Sequence, residues 1–176
     1  HIVPEVIEVI KAYEKSGHCK IPVIAAGGLY TGEDIYRLMQ LGATGVQLGS
    51  KFVTTEECDA SPVFKQAYID AGQSDIEIIT SPVGMPGRAI SGEFTRKVKS
   101  GSEKPRRCAF HCIKTCDYTK SPYCIIKALY NAAKGNMQKG YAFAGANAYL
   151  SQKIVSVRET IDILKKEFMQ AKESVK

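Results

Sequence analysis

Ile21-Pro22-Val23-Ile24-Ala25-Ala26-Gly27-Gly28 and, further on, Gly45-Val46-Gln47-Leu48-Gly49-Ser50 are two short apolar stretches that each run straight into small residues. Each reads as a strand ending in a glycine turn. A strand that ends in Gly-Gly or Gly-Ser leaves backbone N–H groups with no Cβ beside them, so an anion can come close. Between the two lies Thr31-Gly32-Glu33-Asp34-Ile35-Tyr36-Arg37-Leu38-Met39-Gln40-Leu41-Gly42. It opens on a Thr cap followed three residues on by Asp, and it closes at a glycine, as helix ends do. Strand, glycine turn, helix, strand, glycine turn is a βαβ unit. It places two phosphate-sized openings at the C-terminal ends of consecutive strands. In (β/α)8 barrels the loops after the seventh and eighth strands hold a phosphate in this way. The expected fold class is therefore α/β, the C-terminal part of a (β/α)8 TIM barrel followed by a mainly helical appended segment.

The rest of the chain divides around that unit. Residues 1–20 read as one amphipathic helix with Val3, Val6, Ile7, Ile10 and Tyr13 on a face. Residues 1–58 then form the last βα units of the barrel. An eight-stranded barrel needs about 250 residues and the chain has 176, so the first six strands are expected to lie outside it. Residues 59–155 form a helical and loop segment that contains most of the cysteines, and residues 156–176 a terminal helix. Within the middle segment, Ser61-Pro62 starts a helix ending at Gly72, with Val63, Phe64, Ala67, Tyr68 and Ala71 as its stripe. Asp75–Thr80 is β-branched and alternating, hence a strand. Ser81–Arg88 is too rich in Pro and Gly for regular structure. A basic loop follows, then a helix over 122–134. Ser156-Val157-Arg158-Glu159 is a capping box. In the helix it begins, Ile161, Leu164 and Phe168 are expected inside, and Lys165, Lys166 and Glu167 in water.

Composition narrows the function class. The apolar share of 44% and charged share of 24% are those of an ordinary globular chain. No run approaches the ~18 apolar residues of a membrane span, and no secretory h-region is present, so a cytoplasmic location is expected. The net charge of +6 comes partly from Arg96–Arg107 and the lysine-rich tail. Nucleic-acid binding would want aromatic residues interleaved with these charges or a known module, and neither is there. The basic runs read as solvated surface, and neither nucleic acid nor membrane is an expected partner.

The wording of the motifs is narrower than the fold. IPVIAAGG (21–28), LGATGVQLGSKFVTTEEC (41–58), SPVGMPGRAI (81–90), YCIIKALYNAAKGN (123–136) and GYAFAGANAYLSQKIVSV (140–157) resemble the nitronate monooxygenase (2-nitropropane dioxygenase) family of FMN-dependent flavoproteins. The flavin-dependent enoyl-acyl carrier protein reductases are its near relatives. The resemblance implies that FMN is the cofactor. It also implies that backbone amides at Gly27 and Gly28, and at Gln47, Leu48, Gly49 and Ser50, hold the flavin phosphate. The Ser50 hydroxyl stands where Thr is commoner and can donate the same hydrogen bond. Without the resemblance, the glycines equally suit plain tight turns.

The implied activity is oxidation of alkyl nitronates with dioxygen. The alternatives are an FMN- and NAD(P)H-dependent enoyl-acyl carrier protein reductase and a non-catalytic fragment that needs its N-terminal half. The implied partners are a small-molecule substrate, nitronate or enoyl thioester, and that N-terminal half. The family's base is a glycine-flanked histidine expected upstream. His1 lacks such flanks and His111 lies in the appended segment, so neither is assigned the role. Arg88, in the Met85–Arg88 turn, either approaches the flavin or pairs with a surface carboxylate.

Cys108, Cys112, Cys116 and Cys124 crowd together around His111. A thiolate quartet can hold zinc or an iron–sulfur cluster, but gaps of three, three and seven residues match neither common spacing. Were the segment helical, the first three would line one face. No metal is assigned, and reduced thiols are expected. Cys19 and Cys58 stand alone, and His18 reads as a surface residue.

Overall fold

A computed structural model describes residues 2–17, 19–114 and 116–174; His1 and His18 lie outside the described residues. The chain is α/β. Helix α1 (Ile2–Lys15) leads to β1 (Ile24–Ala26), α2 (Gly32–Gln40) and β2 (Gly45–Gln47). The strands pair in parallel, with Ile24, Ala25 and Ala26 opposite Gly45, Val46 and Gln47, which is the βαβ unit read from the sequence. Both strands are shorter than expected, although the Val23 carbonyl still accepts from the Thr44 N–H at 2.7 Å.

The α2 cap is a full capping box. Thr31 Oγ1 accepts from the Asp34 N–H at 3.1 Å, and Asp34 Oδ2 accepts from the Thr31 N–H at 3.1 Å and the Tyr30 N–H at 2.9 Å. Val3, Ile7, Ala25, Leu29, Leu38 and Ala43 form the core of this unit. The α1 face is narrower than the expected stripe, since Val6 and Tyr13 are exposed and only Val3 and Ile7 are buried.

Next come α3 (Ser50–Val53) and α4 (Pro62–Asp70). Ser61 Oγ caps α4 by accepting from the Phe64 N–H at 3.2 Å. Tyr68 and Ala71 are buried, while Val63 is 54% exposed and leaves the stripe. In its place the helix buries Lys65, whose ammonium donates to the carbonyls of Thr55 at 2.6 Å and Glu56 at 3.2 Å.

Strand β3 (Ile76–Ile79) falls where expected, but its antiparallel partner β4 (Gly87–Ile90) begins in the last two residues of the segment read as irregular and runs past it. The Pro/Gly composition describes only the turn before it. Gly87 is needed because the Phe143 ring occupies the space of a Cβ there, and Ala89 bridges to Phe143. Part of the basic run is likewise regular, since α5 (Glu93–Lys99) takes in Arg96 and Lys97 and pairs Lys97 with Glu93 at 2.6 Å. Helix α6 (Ile125–Ala133) packs with β3 and β4 around Phe94, Tyr123 and Tyr141.

The last helix, α7 (Val157–Ser174), lies along α2. Ser156 Oγ accepts from the Glu159 N–H at 3.1 Å, as the capping box predicts. Leu164 is buried and the Phe168 ring meets the edge of Tyr36 at 5.5 Å. Ile161, expected inside, is 38% exposed. Glu167, expected in water, turns instead to the Gly32 N–H. No helix among the described residues is long and apolar enough to cross a membrane.

Candidate functional site

The turns after β1 and β2 open on one cavity of about 290 Å³. All six residues singled out from the sequence, Gly27, Gly28, Gln47, Leu48, Gly49 and Ser50, line it. Gly27 and Gly28 sit at φ 91° and 70°, which residues with a Cβ adopt only at a cost. Gly49 sits at φ −109°, open to any residue, so its glycine is not a matter of backbone freedom. At all three positions an added Cβ would meet no protein atom within 4 Å. The glycines therefore face space, and a side chain at any of them would fill it. The N–H groups of Gly28 and Gly49 donate to no acceptor among the described residues. Two unpaired donors on residues that line an open, Cβ-free hollow suit an anion.

Two further residues come from far along the chain, and the sequence reading missed both. Gly145 donates its N–H to Ser50 Oγ at 2.7 Å, and Asn147 Nδ2 donates to the Gly28 carbonyl at 2.8 Å. Both line the cavity with Ala148. Ser50 thus spends an oxygen lone pair on the loop and keeps its O–H proton free to donate. The irregular Ala144-Gly145-Ala146-Asn147 stretch has no periodicity that would have flagged it.

Beside the cavity, Tyr30 shares a hydrogen bond with Ser151 at 2.8 Å, and the Lys51 ammonium sits 4.2 Å from the centre of its ring. Burial raises the Tyr30 phenol above its usual range, against the lowering effect of the Ser151 and Thr54 hydroxyls. Burial also holds Lys51 below the usual lysine range, opposed by the charge of Glu167.

The other candidates are not part of this cavity. Arg88 lies exposed on β4 opposite Ile78, outside the lining of the glycine cavity, and makes no ion pair among the described residues. Cys108, Cys112, Cys116 and Cys124 border a separate small pocket with Pro82, Val83 and Ile113. Their segment is not helical, so the expected shared face does not form. Among the described residues no three His, Cys, Asp or Glu side chains converge as a metal would require. His111 adopts φ 43° and donates its N–H to Cys108 Sγ at 3.3 Å. A cavity of about 320 Å³ beside α4 and Ser91–Glu93 has no paired glycine turns.

The family model for nitronate monooxygenase matches residues 1–167. The chain belongs to the nitronate monooxygenase family. A probable nitronate monooxygenase of Staphylococcus saprophyticus is 40% identical over 78 residues, covering 44% of this chain and 22% of the relative. The (3aS,4S,5R,7aS)-5-hydroxy-7a-methyl-1-oxo-octahydro-1H-indene-4-carboxyl-CoA dehydrogenase of Mycobacterium tuberculosis is 37% identical over 82 residues, 47% of this chain and 23% of that protein. The matched stretch is thus less than a quarter of either relative's length. FabK from Thermotoga maritima superimposes with a TM-score of 0.71 at 28% identity, over 89% of this chain and 47% of that one. Nitroalkane oxidase from Streptomyces ansochromogenes does so with 0.65 at 22% identity, over 90% and 42%, and speaks for the fold alone. Both neighbours are TIM-barrel enzymes.

Proposed function

We propose that this chain is the phosphate-holding C-terminal part of an FMN-dependent oxidoreductase of nitronate monooxygenase type. One observation carries the reading: two glycine turns, at the C-terminal ends of adjacent parallel strands, open on the same Cβ-free hollow. Gly27, Gly28, Gln47, Leu48, Gly49 and Ser50 would hold the FMN phosphate through backbone N–H groups and the Ser50 hydroxyl. Amide donors grip an anion without a mobile cation, and they are already fixed by the turns. When bound, FMN supplies the redox chemistry between an alkyl nitronate and dioxygen.

The rest of the site would come from N-terminal barrel strands. Among the described residues the lining of the cavity includes neither histidine nor carboxylate, so in this reading a general base is brought by other residues. The parallel pair also asks for more sheet. Parallel strands are normally buried on both faces, yet Ile24 on β1 is 56% exposed and Val9 on α1 is 71% exposed. In this reading residues 1–58 close a barrel, 59–155 form the appended segment and 156–176 return as a helix against the barrel part.

The test is made on the complete flavoprotein that carries this chain. Flavin content, oxygen consumption with a simple alkyl nitronate, and NAD(P)H oxidation with an enoyl thioester are measured side by side. Stoichiometric FMN with nitronate-dependent oxygen uptake is expected. Turnover of the enoyl thioester instead would move the protein to the reductase branch, and an absence of FMN would overturn the cradle.

A further inference from the structure

Three segments distant in sequence meet at the glycine cavity: the Gly27–Gly28 turn, the Gly49–Ser50 turn and the Gly145–Ala148 loop. The third is bonded to both of the others. Asn147 Nδ2 reaches the Gly28 carbonyl at 2.8 Å across 119 residues, and Ser50 Oγ takes the Gly145 N–H at 2.7 Å across 95. Gly145 leaves little room for anything larger, since a Cβ there would stand 3.1 Å from Ser50 Oγ. Ala148, at the end of the loop, is fully buried, which anchors the loop in the appended segment.

We infer that the Gly145–Ala148 loop is the third wall of the phosphate site and that Asn147 is its positioning residue, setting the Gly28–Leu29 peptide so that the cradle accepts a phosphate monoester. The inference rests on the FMN reading given above. Its physical basis is the planarity of the peptide unit, in which C=O and the following N–H point in opposite directions. Gly28, at φ 70° with open space around it, has little of its own to stop that peptide from turning over. With the Gly28 carbonyl held by Asn147, the N–H of the same peptide, that of Leu29, which also lines the cavity, is the donor left to face the phosphate. In the turned state the carbonyl oxygen would face it and repel it. Asn147 holds that oxygen on its own side. The carbonyl is only partly buried, so water could satisfy it if the amide were gone; what the side chain adds is direction. The Gly145–Ser50 bond does the same for the hydroxyl, occupying its oxygen and leaving its proton to donate outward.

The complete flavoprotein is titrated with FMN and with riboflavin, which differ only in the phosphate, for wild type, Asn147→Ala and Asn147→Asp. Asp is isosteric with Asn but has no N–H to give. Wild type is expected to prefer FMN strongly. Both variants should weaken FMN about tenfold, the loss of one well-placed charge-linked hydrogen bond. Riboflavin binding and the thermal midpoint should change little, so the preference narrows. Should Asn147→Ala fail to fold, Asn147→Asp reports the same ratio. A wild type without preference for FMN would overturn the phosphate reading itself. A wild-type preference kept by both variants, or equal loss of both flavins, would overturn the role of Asn147 while leaving the glycine cradle in place.

Discussion

Glu167 Oε2 accepts the backbone N–H of Gly32 at 2.7 Å, joining the last helix to the first turn of α2. The Gly32 N–H has no partner within its own helix, and a carboxylate is favoured at the positive end of a helix. The seam is also tight. A Cβ on Gly32 would run into the Leu164 carbonyl and the Phe168 N–H. Backbone cannot step aside as a flexible side chain can. Gly32→Ala is therefore expected to lose about 1–3 kcal/mol to overpacking, and Glu167→Gln, which keeps an acceptor, no more than about 1 kcal/mol. Denaturant melts of the two variants measure this. Equal stabilities for Gly32→Ala and wild type would mean that the helices are not in backbone contact.

The glycines of the cavity should behave in the opposite way. At Gly49 a Cβ meets no protein atom within 4 Å and φ is −109°, so Gly49→Val should fold with nearly wild-type stability. Its side chain fills the hollow instead, and flavin retention should fall at least about tenfold, which is ~1.4 kcal/mol of binding. Gly28→Val adds backbone strain at φ 70° of roughly 1–2 kcal/mol on top of the same obstruction. Absorbance of purified material near the flavin bands, set beside a thermal melt, separates binding from folding. Full flavin content in Gly49→Val would remove Gly49 from the site.

How far the sequence carried follows from the range of each interaction. The βαβ unit and its caps were readable because strand, cap and glycine turn are local events, encoded within a few residues of one another. The two glycine turns were legible for the same reason. The choice of six residues around them came instead from the family resemblance, and the fold brings those six to one cavity. Strand β4 was missed because Pro82, Gly84 and Pro86 mark the turn so strongly that its first two residues, Gly87 and Arg88, were absorbed into it. What makes it a strand is the antiparallel ladder with β3, to which a bridge from Phe143, more than fifty residues on, is added. Gly145 and Asn147 were missed because a side-chain amide reaching Gly28 leaves no periodic trace. Glu167 and Lys65 show the other limit. Polarity predicts exposure only until a backbone group elsewhere in the fold needs a partner.

Asp34 sets a pH dependence with a definite sign. Partial burial pushes its carboxyl upward. The N–H groups of Tyr30 and Thr31, the Thr31 hydroxyl and the Arg37 guanidinium outweigh that and hold it below the ordinary aspartate range. A folded value below the unfolded one means that the carboxylate contributes stability at pH values above the ordinary aspartate value of about 4. That contribution is lost as pH falls through the lowered folded value. Melts of wild type and Asp34→Ala from pH 7 to pH 3 should therefore differ by a constant amount down to about pH 5 and converge below about pH 4. A gap that widened in acid would show that the capping box is not held by the ionised form.

Lys65 sets two opposing effects against each other. Its side chain is 7% exposed, and its ammonium rests on the carbonyls of Thr55 and Glu56 with no carboxylate in the bond. Removing the ammonium relieves the penalty of keeping a charge out of water, which by itself can make an apolar replacement neutral or better. It also strips the donor from two carbonyls, one of them on Thr55, which is 1% exposed. Each orphaned group is worth roughly 1–3 kcal/mol. In wild type the ammonium donates to both carbonyls, so much of its desolvation is already offset, while an orphaned Thr55 carbonyl has little water to turn to. The carbonyls should win. Lys65→Met, which keeps a straight apolar chain in the same space, is expected to destabilise by about 1–3 kcal/mol. Lys65→Ala should lose more, since it leaves a cavity as well. Denaturant melts rank the three proteins. A Lys65→Met variant as stable as wild type would show that relief of the buried charge outweighs the loss of both hydrogen bonds.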